Sequence, residues 1–518
     1  MFVSKSKNRS GSISVRVMEK RDGRNVLIRS FGASTDEEEV ACMMAAAEEY
    51  VLRKTGRFYN LFNPVPQVSI DEFLSLLSNS QISVIGPELV FGQLYDKIGF
   101  GQINDEMFRH LVISRLASPG SKLHTVDYLL RYRGVSYDIN KMYRHLDKLC
   151  LRRPKDGATS LKDMVEQVTY KHCLAVGGGS LEVVFYDITT LYFEASSEDD
   201  LRRMGFSKDG KADCPQILLG LLITRDGYPI SYEIFEGNLS EQRTFVPLLQ
   251  RAEQKYGMGR PVVIADAGLL SKANIKVLSS EGYGYILGAR LRNESAQIKE
   301  RILSMNLQDG DVRTICKDDG TRIVVSRTEK RRAKDAHNRE RGLERLKKRV
   351  KSGNLGKKDI NNRGYNKYLK LTGQMSVSID LEAFEKDAQW DGIKGYITNT
   401  SLPDKEIISQ YACLWMIERA FRMNKTDLRV RPIYHRLRNR IEGHICICFT
   451  AYVIQLDLER VLKASNSSIT INRAREIVKN MYRLKYTLPN FTTEKKVILK
   501  MDAEQQELYD LVTAWTHR

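Results

Sequence analysis

The segment from residue 181 to residue 289 constrains the fold most, because short apolar runs bounded by turn residues alternate there with amphipathic segments. The pattern predicts, in chain order, strands Leu181–Thr189, Gln216–Thr224 and Tyr228–Phe235, helix Glu241–Tyr256, strand Pro261–Ala265, helix Lys272–Glu281 and strand Tyr283–Ala289. Arg225-Asp226-Gly227 predicts a tight turn between the second and third strands. A three-stranded meander followed by two helix–strand units predicts an α/β fold, a mixed sheet with helices on its faces.

The rest of the chain divides around this sheet, since 518 residues exceed what one core usually serves. Alternation near the start predicts a β-ribbon and helix over residues 1–60, and Asn63-Pro64-Val65-Pro66 a linker. Helical periodicity over 67–176 predicts a helical, DNA-binding domain, with a plain packing domain as the alternative. Residues 181–455 form the predicted sheet domain, interrupted by an insertion at 292–390. A C-terminal helical extension is expected over 456–518.

Positive charge is concentrated in one part of the chain. The formal net charge is +18, from 82 basic and 64 acidic residues. Between Arg327 and Lys370, 17 basic and 5 acidic residues contribute +12 of this surplus. Such a field suits a polyanion such as nucleic acid, although many basic helices are simply solvated.

Other features of the sequence indicate a cytoplasmic protein that does not enter a membrane. No run approaches the roughly 18 to 20 uncharged apolar residues that cross a bilayer. The basic start, Met1 to Arg9, leads into polar residues and lacks the apolar core of a secretory signal. The eight cysteines are scattered without a C-x-x-C pair, which favours reduced thiols.

Two acidic residues end predicted strands of the sheet. Asp187 follows the apolar run Val183–Tyr186, and Asp266 follows Val262–Ala265. Ligand and metal chemistry in helix-covered sheets concentrates at strand ends. For one aspartate alone, an ordinary strand-terminal turn is the competing interpretation. Two such residues, on strands that could be neighbours, favour a functional site.

A third acid, Glu418, lies on a helix predicted from about Lys405 to Asn424. At about 100° per residue, Tyr411, Glu418 and Lys425 share one face of a continuous helix, with Arg422 about 40° from Glu418. The apolar stripe expected opposite them contains Ala412, Cys413, Met416, Ile417, Ala420 and Met423. The competing interpretation is a surface helix with an ordinary Glu418–Arg422 pair.

Three carboxylates on a basic protein predict a site for divalent metal ions. Mg²⁺ prefers oxygen ligands, and two ions about 3.5–4 Å apart can activate an attacking hydroxyl and stabilise the leaving oxygen of a phosphodiester. Histidine is scarce, with eight residues not clustered around these acids, which argues against a zinc hydrolase.

These residues resemble the DDE transposases of bacterial insertion sequences, specifically insertion-sequence family four. That family's third block reads Y-x2-R-x3-E-x6-K, and Tyr411, Glu418 and Lys425 match its spacing. Leu414 occupies the arginine position, with Arg419 and Arg422 as candidate replacements. The remaining blocks, in family order, are Tyr186-Asp187-Ile188-Thr189-Thr190, Glu236-Gly237-Asn238 with Thr244, Asp266-Ala267-Gly268, and Asp391-Gly392 with Gly395–Asn399.

The resemblance, which covers about residues 180 to 455, implies a ribonuclease-H-like fold with a largely β insertion. Asp187, Asp266 and Glu418 would be the catalytic residues and hold two Mg²⁺ or Mn²⁺ ions. Water would nick each transposon end, and the freed 3′-hydroxyl would then attack target DNA. Tyr411 and Lys425 would contact phosphates near the end, and helix geometry adds Arg422. Double-stranded DNA, both terminal inverted repeats and target, is the expected partner, and a homodimer the expected synaptic form, in the cytoplasm of a bacterial or archaeal cell.

Two alternatives stay open at this point, and the spacing of a third does not fit. A non-transposing nuclease or a catalytically inactive DNA-binding protein could share the fold. A tyrosine recombinase would use His435 and Arg438 as its H-x-x-R box, with His444 and Tyr452 as later members, but the gap to the second histidine is too short.

Overall fold

The computed structural model describes residues 1–518 except 22, 56–73, 76, 152–158, 195–196, 207–209, 211–212, 270, 353–360, 362–363, 373–375, 432, 488–492 and 518, and gives backbone alone for 371, 372 and 376. The predicted linker at 63–66 therefore lies outside the described residues, as does part of the basic region. Among the described residues, no helix combines the length and apolar character needed to cross a membrane.

The strands, in chain order, are β1 Phe2–Lys7, β2 Ile13–Arg21, β3 Arg24–Ser34, β4 Ile82–Val84, β5 Val183–Tyr192, β6 Gln216–Thr224, β7 Pro229–Glu236, β8 Val262–Ala265, β9 Tyr285–Gly288, β10 Val312–Cys316, β11 Arg322–Arg327, β12 Leu369–Thr372, β13 Ser376–Ile379, β14 Ile393–Thr398, β15 Tyr482–Thr487 and β16 Glu494–Ile498. The helices are α1 Glu37–Thr55, α2 Gln93–Ile98, α3 Glu106–Ala117, α4 Lys122–Tyr128, α5 Ile139–Leu149, α6 Leu161–Val176, α7 Phe245–Tyr256, α8 Lys272–Ser280, α9 Ala296–Ser304, α10 Glu329–Lys351, α11 Leu381–Ala388, α12 Asp404–Ala412, α13 Trp415–Thr426, α14 Arg438–Ala464, α15 Ile471–Val478 and α16 Ala503–Thr516.

An eight-stranded mixed sheet forms the centre of one of two compact units, which comprises residues 91–125 and 138–467. Its order is β10-β11-β14-β9-β8-β5-β6-β7. Strands β5, β6 and β7 pair antiparallel as a meander, whereas β8 and β9 run parallel to β5. All nine residues of β6 are buried, as expected for a strand covered by helices on both faces. The predicted α/β class is confirmed, and this strand order is consistent with a ribonuclease-H-like fold.

The segment 292–390 is less separate than the sequence suggested. Its first two strands extend the central sheet, because β11 pairs with β14 and β10 with β11, all antiparallel. The apolar run Ile323–Val325 is completely buried and needs partners on both edges, which β10 and β14 supply. The segment also contains the 23-residue helix α10 beside the small hairpin β12–β13, so it is not largely β.

Helix α14 is the main apolar element beside the sheet. Nineteen of its 27 residues are buried, including an unbroken run from Gly443 to Leu458. It packs against α2, α3, α5 and α6, and also against β7. The helices from residue 91 onward that were expected to form a separate domain thus share the core of the central sheet. A DNA-binding role for 67–176 stays a prediction.

The second compact unit contains residues 1–90, 126–137 and 468–518. Its first sheet, β1-β2-β3, packs against α1, so the predicted ribbon has three strands rather than two. A second sheet, β16-β15-β4, includes a hairpin from the C-terminal segment. The expected helical extension contains α15 and α16 but also two strands, because Tyr482–Thr487 alternates in a pattern that suits a strand and pairs with β4.

Candidate active site

Strand pairing places Asp187 and Asp266 side by side. The parallel register of β5 and β8 aligns Tyr186 with Ala265, and the two aspartates are the next residues along each chain. Neighbouring strands lie about 4.8 Å apart, so the two backbones bring their carboxylates together where β8 ends, at the acidic edge. The structure therefore brings together two of the three predicted acids. The prediction that Asp187 ends its strand was wrong, because β5 continues to Tyr192.

Each aspartate is held by the backbone close to it. Asp187 is half-buried, and its Oδ1 accepts a hydrogen bond from the amide of Ile188 at 2.7 Å. Asp266 is exposed, and its Oδ1 accepts from the amide of Gly268 at 2.8 Å. The preceding residue, Tyr186, is buried and donates its hydroxyl to Thr244 Oγ1 at 2.8 Å, which anchors β5 next to Asp187.

A fourth carboxylate, that of Glu241, lies at the same edge. A methyl group placed on Gly268 would lie 2.9 Å from Asp266 Oδ1 and 3.4 Å from Glu241 Oε2. These two oxygens are therefore separated by at most their sum, about 6.3 Å. Sequence reasoning missed Glu241 because it is in a single 3₁₀ turn, Glu241–Arg243, outside any strand end. Its place three residues after the Glu236-Gly237-Asn238 block was the available signal.

The predicted long helix around Glu418 is broken, which corrects the sequence-based geometry. Helix α12 ends at Ala412 and α13 begins at Trp415, with tight turns whose amides at Cys413 and Leu414 bond three residues back. Tyr411 is consequently buried, at 8% exposure, rather than displayed on one face with Glu418 and Lys425. It lies on α12, which packs against β8 and β9.

Helix α13, which carries Glu418, packs against the strand that carries Asp187. Its buried side includes Ile417, Ala420 and Phe421, and the helix packs on β5. At about 100° per residue, Glu418, Arg422 and Lys425 lie within roughly 60° of one another on the other side. The predicted apolar stripe was partly wrong, since the helix break leaves Ala412 exposed and buries Phe421. Glu418 is exposed, and its carboxylate has no hydrogen-bond or ion-pair partner among the described residues.

Tyr411 fits closely beside the aspartate pair. A methyl group on Gly288 would lie only 2.5 Å from the Tyr411 hydroxyl, so the absence of a side chain at Gly288 admits the phenol. Burial and the negative charge of Asp266 raise the pKa of Tyr411, with a further contribution from Asp187. The phenol is thus neutral and a hydrogen-bond donor near neutral pH. The ammonium group of Lys394 lies 4.4 Å from the centre of its ring.

The structure distinguishes the two candidate replacements for the arginine that Leu414 lacks. Arg419 donates to Glu459 at 2.5 Å and is thereby tied to α14. Arg422 is exposed and has no ion-pair partner among the described residues. Arg422 is therefore the arginine of α13 available to a ligand.

The basic helix α10 carries a continuous cationic stripe. Its buried contacts are made by Gly342 and Leu346. Five exposed cations fall within about 60° of one another on the helix and span roughly 27 Å: Lys330, Lys334, Arg341, Arg345 and Lys348. None has an ion-pair partner in the described parts of the chain.

The basic helix also connects with the surroundings of Tyr411. Arg331 and Lys394 both line two cavities, of about 530 and 510 Å³. Burial and the positive charge of Arg331 lower the pKa of Lys394. The charge of Arg331 also acts on Tyr411, which places positive charge beside the acidic edge.

The predicted metal site has ligand atoms of the right kind, but its three acids do not all lie close together. Carboxylate oxygens are the ligands that Mg²⁺ and Mn²⁺ favour, and Asp187 and Asp266 present them from adjacent strands. Across the described residues, no three His, Cys, Asp or Glu side chains lie close enough together to hold a metal ion. Asp187, Asp266 and Glu418 are thus not yet arranged as a complete ligand set.

The tyrosine-recombinase alternative is excluded because its nucleophile, Tyr452, is buried. Tyr452 is 1% exposed and donates its hydroxyl to the carbonyl oxygen of Gly227 at 3.3 Å. Burial raises the pKa of this phenol. A DNA phosphate could not reach it without unpacking α14.

Similarity to solved structures is distant. A piggyBac transposase in a synaptic complex with hairpin DNA is 9% identical, with a TM-score of 0.39 over 76% of this chain and 78% of that chain. The Mos1 transposase in a paired-end complex with the left transposon end is 13% identical, with a TM-score of 0.15 over 35% of this chain and 58% of its own. The Mos1 mariner paired-end complex with Mn is 12% identical, with a TM-score of 0.15 over 37% and 64%. The chain spans less than two thirds of these Mos1 chains, and such low scores carry no argument about function.

The family comparison is more informative. No curated protein matches the chain. The model of the transposase DDE domain matches residues 178–454, which is more than half of the 518 residues and contains Asp187, Asp266 and Glu418. The chain therefore belongs to the transposase DDE domain family.

Proposed function

We propose that this protein is a transposase that cleaves the ends of its own mobile element and joins them to target DNA. Asp187 and Asp266 act as metal-holding carboxylates, and Glu418 joins them when DNA and metal bind. The observation that supports this most is the register of β5 and β8, which aligns the two aspartates, with the Glu418 helix packed on β5.

Two bound Mg²⁺ or Mn²⁺ ions would supply activation of the attacking oxygen and stabilisation of the leaving oxygen. In cleavage, the oxygen of water forms a bond to phosphorus and the 3′ oxygen of the element leaves. In joining, that 3′-hydroxyl attacks a target phosphorus and the target's own 3′ oxygen leaves.

The chain's own cations bind and orient the DNA. Arg422 and Lys425 flank Glu418 on α13 and meet phosphates of the element end. The neutral phenol of Tyr411 donates a hydrogen bond to a phosphate oxygen or to an Asp266 oxygen, which orients that carboxylate. The stripe on α10 follows the backbone of the duplex over roughly 27 Å, about eight base pairs at 3.4 Å each. Two copies of the chain on paired ends are the proposed working assembly.

The decisive experiment is a strand-transfer reaction with Mg²⁺ and duplexes that carry the element's terminal repeats. We expect joined products from the wild-type chain and none from Asp187→Asn, because an amide holds a divalent ion far more weakly than a carboxylate. End binding, measured by gel shift, should stay within about threefold of wild type. Cleavage without joining would identify a nuclease instead, and binding alone an inactive DNA-binding protein.

A matched control keeps the result specific. Glu300→Gln removes one carboxylate from the exposed side of α9, away from the strand ends, and should join DNA like the wild type. Undiminished joining by Asp187→Asn would overturn the assignment of the site.

A further inference from the structure

A second polar site lies in a cavity of about 740 Å³ between α3, α5 and α14 and the segment that follows α13. Of thirteen described lining residues, six are cationic and none is acidic. The cations are Arg115, Lys122, Arg429, Arg431, Arg436 and Arg440. Of these, Arg440 has a carboxylate partner, Asp147, with contacts of 2.7 and 2.9 Å. The described lining of the cavity is thus strongly positive.

Two of these cations are buried with no counterion in the described part of the chain. Arg115 and Lys122 are each 4% exposed, and neither has a hydrogen-bond or ion-pair partner among the described residues. Burial, reinforced by the charge of Arg115, lowers the pKa of Lys122 to about 7. A buried, unpaired charge is strongly unfavourable, and an anion between the two side chains would compensate it.

The lining of the cavity also includes an unsatisfied acceptor, on His444. His444 is 6% exposed, and its Nε2 lies 3.0 Å from the carbonyl oxygen of Val430, to which it must donate. Its Nδ1 is therefore an acceptor, and it is buried with no partner among the described residues. A ligand that fills the cavity satisfies this atom only if it also carries an N–H or O–H group.

Aromatic rings complete the lining. The ring of His435 lies 5.5 Å from that of His444 and 6.1 Å from that of Tyr143, edge to face in both pairs. The exposed ring of Tyr434 lies at the rim. Cations for a phosphate, rings for a base and an acceptor for a base N–H together match a nucleotide.

Strand β5 connects the surroundings of the cavity with the acidic edge that carries Asp187 and Asp266. The guanidinium group of Arg431 lies 5.7 Å from the centre of the Tyr192 ring. Tyr192 ends β5, five residues beyond Asp187, which is roughly 17 Å at about 3.3 Å per residue. That span equals about five base pairs of duplex DNA.

We propose that this cavity binds one nucleotide of a DNA strand, with its phosphate between Arg115 and Lys122 and its base against Tyr143 and Tyr434. This proposal rests on the proposed function only for the source of the nucleotide, a strand whose reacting phosphate lies at Asp187 and Asp266. A free nucleotide has the same chemistry, and the experiment separates the two sources.

The first arm measures the melting temperature with deoxyadenosine monophosphate or inorganic phosphate, against chloride at equal ionic strength. We expect both anions to stabilise the wild type and Lys171→Met, an exposed lysine of α6 outside the cavity. Lys122→Met should bind the mononucleotide roughly ten- to a hundredfold more weakly. Arg436→Gln, at the exposed rim, should weaken binding less and cannot disturb the core. No anion-specific stabilisation of the wild type overturns the proposal.

The second arm uses the cleavage-defective Asp187→Asn chain bound to end DNA with 5-iododeoxyuridine at successive positions. Crosslinks to Tyr143 or Tyr434 should appear about five nucleotides from the reacting phosphate, and Lys122→Met should remove them. Stabilisation by mononucleotide without such crosslinks would overturn the strand assignment and identify a free-nucleotide site. Failure of strand transfer by the wild type would instead count against the proposed function and leave the first arm intact.

Discussion

At the scale of single residues, packing separates the cations that hold the fold from those available to DNA. Arg419 and Arg422 are three positions apart on α13, yet one is tied to Glu459 and the other is exposed without a described partner. The sequence motif could not distinguish them, because the difference depends on α14, which follows later in the chain. Lys122 shows the same limit, since nothing in its neighbourhood along the sequence marks it as buried.

Replacing these two arginines should therefore give different defects. We expect Arg422→Ala to weaken end binding about tenfold, through loss of a phosphate contact, with unfolding unchanged. Arg419→Ala should lower the free energy of unfolding by about 0.5 to 1 kcal/mol, because a half-exposed ion pair is lost, while end binding stays near wild type. Gel shifts and urea titrations of both variants check this. Equal binding defects would contradict it.

Lys122 should make stability depend on pH. Its pKa falls from 10.5 to about 7 on folding, by burial and then by Arg115, while the facing thiol of Cys448 opposes the shift. Below pH 7 the folded and the unfolded states both carry the proton on Lys122. The folded state then bears the full cost of burying the charge. Between pH 7 and 10.5 the unfolded chain alone carries it, so stability rises with pH. The neighbouring rings of His435 and His444, whose pKa values are lowered, stay neutral throughout this range.

The matched variant is Lys122→Met, which removes the ionisation. From pH 7 to pH 9, we expect wild type to gain about 2 to 3 kcal/mol of unfolding free energy relative to this variant. Urea titrations at both pH values, in buffer without phosphate, measure the difference. If the difference in unfolding free energy between wild type and Lys122→Met does not change with pH, Lys122 keeps its ordinary pKa.

At the scale of secondary-structure elements, short apolar strands were predictable. The break in a helix and the attachment of strands to the central sheet were not. Strand Gln216–Thr224 was predicted to the residue, because its buried run is flanked by turn residues. The break between α12 and α13 was missed, since Cys413 and Leu414 carry no helix-breaking signal and tertiary packing ends the helix there. The attachment of β10 and β11 to the central sheet was also missed, because the strands that pair can be far apart in the sequence.

The cationic stripe of α10 leads to a prediction about salt. Replacing Lys334, Arg341 and Arg345 by Gln should reduce the slope of log affinity against log salt by about 0.9 for each phosphate contact removed, hence by up to about 3. Gel shifts at several salt concentrations measure this slope. Replacing Lys276, Lys299 and Arg301, on α8 and α9, removes the same charge and should leave it unchanged. An unaltered slope in the first variant would show that the stripe is only solvated.

At the scale of the whole molecule, the succession of strands and helices along the chain was predictable. The order of the strands in the sheet and the arrangement of the three acids were not. Asp266 could be placed at a strand end from its apolar run alone, whereas Asp187 lies within β5, which continues to Tyr192. The helix–strand succession favours parallel strands, but the pairing of β5 with β8 was seen only in the structure. Glu241 and the cavity around Lys122 emerge only from folding, because their neighbours are up to several hundred residues away in sequence. The central claim is that Asp187, Asp266 and Glu418 jointly hold divalent ions once DNA is bound.

The most direct measurement of that claim is the count of Mn²⁺ ions bound to the protein–DNA complex, by electron paramagnetic resonance. Wild type and Glu300→Gln should bind two ions per chain. Asp187→Asn, Asp266→Asn and Glu418→Gln should each lose at least one, while still binding the end DNA. Undiminished Mn²⁺ binding in all three variants would contradict the account.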